Sequence, residues 1–108
     1  MPTEQQINFG LSERDIKTIA SIFKKFPEIE TVHIFGSRAL DKYKAGSDID
    51  LAIINHGISD DIIKKIQIEL GESSLPYRVD LINLSALNHT ELADHINRVG
   101  LPFYIKQI

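Results

Sequence analysis

Three aspartates sit where aspartate is not expected. Asp48 and Asp50 are two residues apart in an apolar, branched stretch, Asp48-Ile49-Asp50-Leu51-Ala52-Ile53-Ile54, and Asp80 lies inside Val79-Asp80-Leu81. Side chains alternate along a strand, so Asp48 and Asp50 leave the same face, opposite Ile49, Leu51 and Ile53. Aspartate is disfavoured in strand interiors, and a local rule broken three times points to function. If the two segments are neighbours in one sheet, the three carboxylates converge. Like charges held that close repel unless a cation sits among them. An all-oxygen donor set with no His or Cys suits Mg2+, and also Mn2+. Each acid has an ordinary alternative. Asp48 follows Gly46-Ser47 and could be a turn residue, and Asp80 could pair with Arg78 or Arg38. Those alternatives account for each acid singly and much less well for the three at this spacing.

A second feature precedes them. In Phe35-Gly36-Ser37-Arg38-Ala39 an apolar strand ends in Gly, a hydroxyl follows, and one helical turn is expected after Ser37. Glycine lets a phosphate approach the backbone with no Cβ in the way, and amides at a helix start face an anion. Ser37 adds a donor and Arg38 a charge. Alone, Gly-Ser after a strand is more simply a plain turn, and the loop lacks the Gly-Lys-Ser/Thr ending of a P-loop. Together the features are complementary. Acids alone would repel a triphosphate, whereas acids holding a divalent cation attract it, and a metal pair can clamp the attacking and leaving oxygens of an in-line displacement.

The elements that must position these residues follow from the pattern of the chain. Residues 1–11 read as a loosely ordered leader. Ser12 is a helix N-cap, with Glu13 and Asp15 in the first turn. Ile16, Ile19, Ala20, Phe23 and Phe26 form an apolar stripe, and Pro27 ends that helix. Thr31 to Phe35 is a strand. Residues 37–47 are polar, and Asp48 to Ile54 is a second strand. Asn55-His56-Gly57 is a turn, and Ser59 caps a helix that runs to Leu70 and stops at Gly71. Tyr77 to Leu84 is a third strand, Thr90 to Val99 a helix closing at Gly100, and Leu101 to Ile105 a last short strand. The order α-β-β-α-β-α-(β) predicts an α/β fold, α+β in some schemes: a small mixed sheet covered by helices.

Size and composition agree with a single domain over residues 1–108. The chain has 108 residues, 43% hydrophobic, enough for a modest core. Its net charge of −3 disfavours direct nucleic-acid binding through the phosphate backbone. The absence of cysteine excludes a disulfide framework and suits a reducing cytoplasm. No apolar run is long enough to span a membrane, and Met1 to Gly10 lacks the layout of a signal peptide.

Phe35-Gly36-Ser37, ten further residues, Asp48-Ile49-Asp50-Leu51 and then Val79-Asp80-Leu81 resemble the motif set of the DNA polymerase β-type nucleotidyltransferase superfamily. Gly36-Ser37-Arg38-Ala39 through Gly46-Ser47-Asp48-Ile49-Asp50-Leu51-Ala52 is particularly similar to the minimal nucleotidyltransferase (MNT) family. The resemblance implies that Gly36 and Ser37 hold the nucleotide phosphates, with Arg38 beside them. It implies that Asp48, Asp50 and Asp80 ligate the metals, Asp80 also helping to deprotonate the acceptor hydroxyl. No core motif position departs from the pattern. The site takes about 50 residues of scaffold, and little chain remains for a second-substrate pocket. In the family that role falls to a separate helical protein, HEPN, encoded nearby. The MNT member is then the antitoxin, moving AMP from ATP to a tyrosine hydroxyl of the toxin. Two alternatives stay open: a non-catalytic nucleotide-binding antitoxin that neutralises its partner by occlusion, and nucleotidylation of a small molecule, for which a homodimer would supply the missing wall.

Other residues carry less. Arg38, Lys42 and Lys44 flank the cradle and could assist the triphosphate, although exposed loop charges are usually just solvated. Tyr43 could stack on a base but reads more simply as a surface aromatic. His33, His56, His89 and His95 show no metal-ligand spacing. Ser73, Ser74 and Ser85 lack a Ser-His-Asp context. The stripe Leu92, Ala93, Ile96 and Val99, with Leu101, Phe103 and Tyr104, reads as core, with a docking face as the alternative.

Overall fold

The structure is a computed structural model that describes residues 8–88 and 90–107. The first seven residues of the expected leader, and His89, lie outside the described residues. What is described of the leader is well anchored, contrary to expectation. Leu11 is almost fully buried, its amide donates to Asn8 O, and Gly10 N donates to the Asn8 side chain.

Ser12 caps α1 (Glu13–Lys24), its side chain accepting from Asp15 N. The helix buries Ile19, Ile22 and Phe23, with Ile16 and Ala20 packed at the margin. Ile22 was absent from the expected stripe, which is therefore wider. Then follow β1 (Thr31–Phe35), α2 (Gly36–Ala39), β2 (Ile49–Ile53), α3 (Asp60–Glu72), β3 (Val79–Asn83), a 3-10 turn (Leu84–Ala86), α4 (Thr90–Val99) and β4 (Leu101–Ile105). Asp48 therefore stands immediately before β2 rather than inside it, and β3 is shorter than expected at both ends. Gly71 does not stop α3. A Cβ there would meet nothing within 4 Å, so the position demands no glycine. The helix passes through to Glu72 and ends at Ser73, whose hydroxyl donates to Leu70 O at 2.6 Å. Gly71 lies in the last turn, beside Leu70, whose burial with Ile66 holds this end of the helix on the core.

The sheet order is β3-β2-β1-β4. β1 runs antiparallel to β2 and to β4, and β2 runs parallel to β3. The sheet is mixed, as expected, and the β2-α3-β3 segment is its parallel crossover unit. Alternation sorts the strands into two faces. Val32, Ile34, Ile49, Leu51, Ile53 and Val79 pack under α1 and α3 in the main core. Phe35 and Ala52 form a smaller cluster with Ile96 of α4, joined by Ile82, Leu92 and Val99. Of the α4 stripe, Ile96 is core, with Leu92 and Val99 part-buried against it. Asn55 sets the start of β1: its side chain accepts from Glu30 N and Thr31 N at 3.0 and 3.1 Å and donates to Glu28 O at 2.9 Å. Among the described residues no helix is long and apolar enough to cross a membrane.

Candidate active site

The end of β1 meets the starts of β2 and β3 on the α4 side of the sheet. Phe35 pairs with Asp50 across β1 and β2, and Asp50 pairs with Asp80 across β2 and β3. Neighbouring strands are about 4.8 Å apart, so two carboxylates leave adjacent positions of one face. Phe35 and Ala52, the strand neighbours that share this face, are buried, whereas Asp50 is half-buried and Asp80 is 46% exposed at its side chain. Neither points into the main core.

The central acid feels the other two. The Asp50 carboxyl is held above the ordinary value of 3.8, first by burial and then by the negative charges of Asp80 and Asp48. Desolvation and like charge both favour its protonated form. Asp80 has a loose partner on its own strand, Arg78, with Nε 3.6 Å from its Oδ1 and both side chains open to solvent. At that exposure the pair contributes little.

Among the described residues no group of three or more His, Cys, Asp and Glu side chains stands close enough to hold a metal ion. Asp50 and Asp80 are brought into register and the charge of Asp48 reaches Asp50, while the expected trio does not stand at ligating distance. The donor set still fits a hard divalent cation. Its members are carboxylate oxygens only, two of them are in direct register, and the middle one carries an unrelieved negative field.

Gly36 is needed where it stands. Its φ is +75°, and a Cβ built there would overlap the Asp50 carboxylate. Any side chain would be strained and would displace the acid. The first turn of α2 follows at once, with Ser37 half-buried at its start. First-turn amides of a helix lack intrahelical acceptors, so the Gly36-Ser37 turn presents donors beside the acids.

Arg38 corrects the sequence reading. Expected as an exposed loop charge beside the phosphates, it is the one buried charged side chain among the described residues, at 3% exposure. Its Nε and Nη2 donate to Ser47 O at 3.2 and 2.8 Å, and its Nη1 donates to Phe9 O at 2.8 Å. The guanidinium carbon lies 4.7 Å from the Tyr77 ring centre and 5.1 Å from that of Tyr43. The cation is thus enclosed by the protein's own carbonyls and rings, where an exposed loop charge was expected. Tyr43, expected as a surface aromatic, keeps part of its surface exposed and lays its ring against Gly10 and Arg38. The signal for both was weak in sequence, because Phe9, Arg38, Ser47 and Tyr77 are far apart along the chain. Lys42 and Lys44 are exposed, as expected.

The described histidines lie elsewhere. His33 is half-buried on β1, opposite Ala52 and Pro102, and burial lowers its pKa. His56 is exposed and His95 half-buried. Ser73 caps α3, and Ser85 donates to Asn83.

Residues 17–107 match the family described as Polymerase beta, Nucleotidyltransferase. The Haemophilus influenzae protein named "Probable protein adenylyltransferase MntA" is 34% identical over 74 residues, covering 68% of this chain and 65% of that protein. The match thus spans just under two thirds of that relative's length. A crystal structure of a toxin-antitoxin with AMP-PNP superposes with a TM-score of 0.68 at 21% identity, over 86% of this chain and 75% of that chain. The tri-AMPylated Shewanella oneidensis HEPN toxin in complex with MNT antitoxin gives 0.64 at 19% identity, over 90% and 75%. At such identities the structural likeness speaks to the fold.

Proposed function

The chain belongs to the Polymerase beta nucleotidyltransferase family, and from that premise we propose that it moves AMP from ATP to a hydroxyl of a partner protein. The observation that carries this is the register of Asp50 with Asp80, with Asp48 two residues upstream and the Gly36 backbone against the Asp50 carboxylate. The acceptor is a tyrosine of a helical HEPN-type protein, and the transfer makes this chain an antitoxin. The HEPN toxin that is AMPylated in its complex with an MNT antitoxin, together with the relative named as a protein adenylyltransferase, supports that choice.

In this reading the acceptor oxygen attacks the α-phosphorus of ATP. A new P–O bond forms, the bond to the bridging oxygen of the β-phosphate breaks, and pyrophosphate leaves. Asp80, on the more open strand, takes the hydroxyl proton. Ser37 and the amides of the Gly36-Ser37 turn orient the phosphates. Asp48, Asp50 and Asp80 would hold Mg2+, which supplies Lewis-acid polarisation and neutralises charge. The net charge of −3 agrees with a protein acceptor better than with nucleic acid.

The test is intact mass spectrometry of a HEPN-type partner after incubation with this chain, ATP and Mg2+. Addition of one or more AMP units is expected, and none when EDTA is present. An unmodified partner that is nevertheless inhibited by the chain would replace catalysis with neutralisation by binding.

A further inference from the structure

A buried guanidinium with no carboxylate partner is an expensive feature, and burial without a counter-charge is normally avoided. Arg38 is such a group. Among the described ion pairs none involves it, and its charge is met by two backbone carbonyls and two aromatic faces. Those partners have a common property. Ser47 is bonded to Asp48. Tyr77 lies three residues before Asp80. Tyr43 opens the loop that leads to Ser47, whose hydroxyl accepts from Lys44 N at 2.8 Å. Arg38 itself is two residues beyond Gly36, in the same helical turn. One planar side chain therefore joins the phosphate turn, the approach to the first acid and the approach to the third.

We propose that Arg38 is a positioning residue, which sets the distance between the Gly36-Ser37 turn and the Asp48 and Asp80 carboxylates through Ser47 O and the Tyr43 and Tyr77 rings. This rests on the AMP-transfer reading. The guanidinium suits the task because it is flat, donates in two directions, and lies over two aromatic rings at once. A lysine ammonium would keep the charge and lose the fork and the stacking. The Phe9 carbonyl adds the segment before α1 as a third tie. Loss of the clamp leaves every reacting group present and moves them relative to one another. The effect falls on turnover, since misplacement by about 1 Å lowers rates by about 100-fold.

The test compares the wild-type chain with Arg38→Ala, Arg38→Lys and Tyr77→Leu, each with its partner protein, ATP and Mg2+. Arg38→Ala is expected to lower kcat about 100-fold while changing the affinity for AMP-PNP much less. Millimolar methylguanidine should restore part of that turnover. Arg38→Lys should remain close to Arg38→Ala, and Tyr77→Leu should lose turnover to a smaller degree. If Arg38→Ala weakens AMP-PNP binding in proportion to its loss of kcat/KM with kcat intact, Arg38 is a phosphate ligand and the proposal fails. Unchanged kcat in folded Arg38→Ala, with only a lower Tm, makes it a stability residue and also overturns the idea. Should Arg38→Ala not fold, unchanged kcat in Tyr77→Leu has the same force. Amide hydrogen exchange of the free proteins separates the two readings. A wild-type chain that transfers no AMP refutes the function. Exchange then still decides the clamp: faster exchange in Tyr77→Leu confined to residues 36–39, 43–50 and 77–80 upholds it, and unchanged or uniformly faster exchange rejects it.

Discussion

The two faces of the sheet are made by the same strands and have opposite characters. Toward α1 and α3, β2 presents Ile49, Leu51 and Ile53, each with no exposed surface. Toward α4 it presents Asp50 and Ala52, and only Ala52 is fully covered, in the small cluster with Phe35 and Ile96. Along β2 the first face is closed and apolar. The second is covered by α4 over Phe35 and Ala52 and left part-open where Asp50 and Asp80 stand. The site occupies that uncovered end. Alternation lets one strand serve stability with every second residue and chemistry with the others.

That division is most sharply tested on β2 itself. Asp50→Asn should lower AMP transfer by about 1,000-fold, the several kcal/mol that metal-assisted charge stabilisation supplies, with the fold retained in circular dichroism. Its neighbour Leu51 should behave in reverse. Leu51→Ala is expected to destabilise the protein by about 2–5 kcal/mol in urea unfolding, while kcat of the folded fraction stays near wild type. Comparable activity losses in both, at equal folded fraction, would break the comparison. Gly36→Ala lies between them. Positive φ and the overlap with the Asp50 carboxylate should reduce stability by about 1–3 kcal/mol and transfer together, because the displaced group is the central acid.

The smallest effect is in pH. The folded-state pKa of Asp50 lies above its ordinary 3.8, so the native state binds that proton more tightly than the unfolded chain does. Its stabilising contribution is fully present below the ordinary value and is lost as pH rises through the raised one. In metal-free protein, Asp50→Asn should therefore gain Tm relative to wild type on going from mildly acidic to neutral pH. Added Mg2+ should shrink the difference. A constant difference across that range would show that the acids do not interact.

Much of this arrangement was legible in the chain. β1 and β4 have the bounds that branching and aromatic content predict, and Ser12 and Ser59 cap their helices through Asp15 N and Ile62 N as expected. Asp48 and Asp50 could be placed on one face because strand alternation is local, whereas bringing Asp80 beside them needed the pairing of β2 with β3. The parts that were not legible depend on contacts between distant residues. Arg38 reads as a loop charge until Phe9, Tyr43, Ser47 and Tyr77 surround it. Gly71 reads as a helix stop until Leu70 is seen buried and Ser73 seen capping. The acids' spacing escaped for a different reason: residue types fix the donors, whereas their separation depends on how the strands and side chains are packed.

The pairing of β1 sets a timetable for synthesis. β1 lies inside the sheet, with β2 on one side and β4 on the other, and its partner Thr31↔Ile105 to Ile34↔Leu101 is about 70 residues downstream. At about 5–20 residues per second, the ribosome takes several seconds to deliver that partner after β1 has emerged. Meanwhile Thr31-Val32-His33-Ile34-Phe35, a run rich in β-formers, keeps one bare edge, the kind of template on which other nascent chains aggregate.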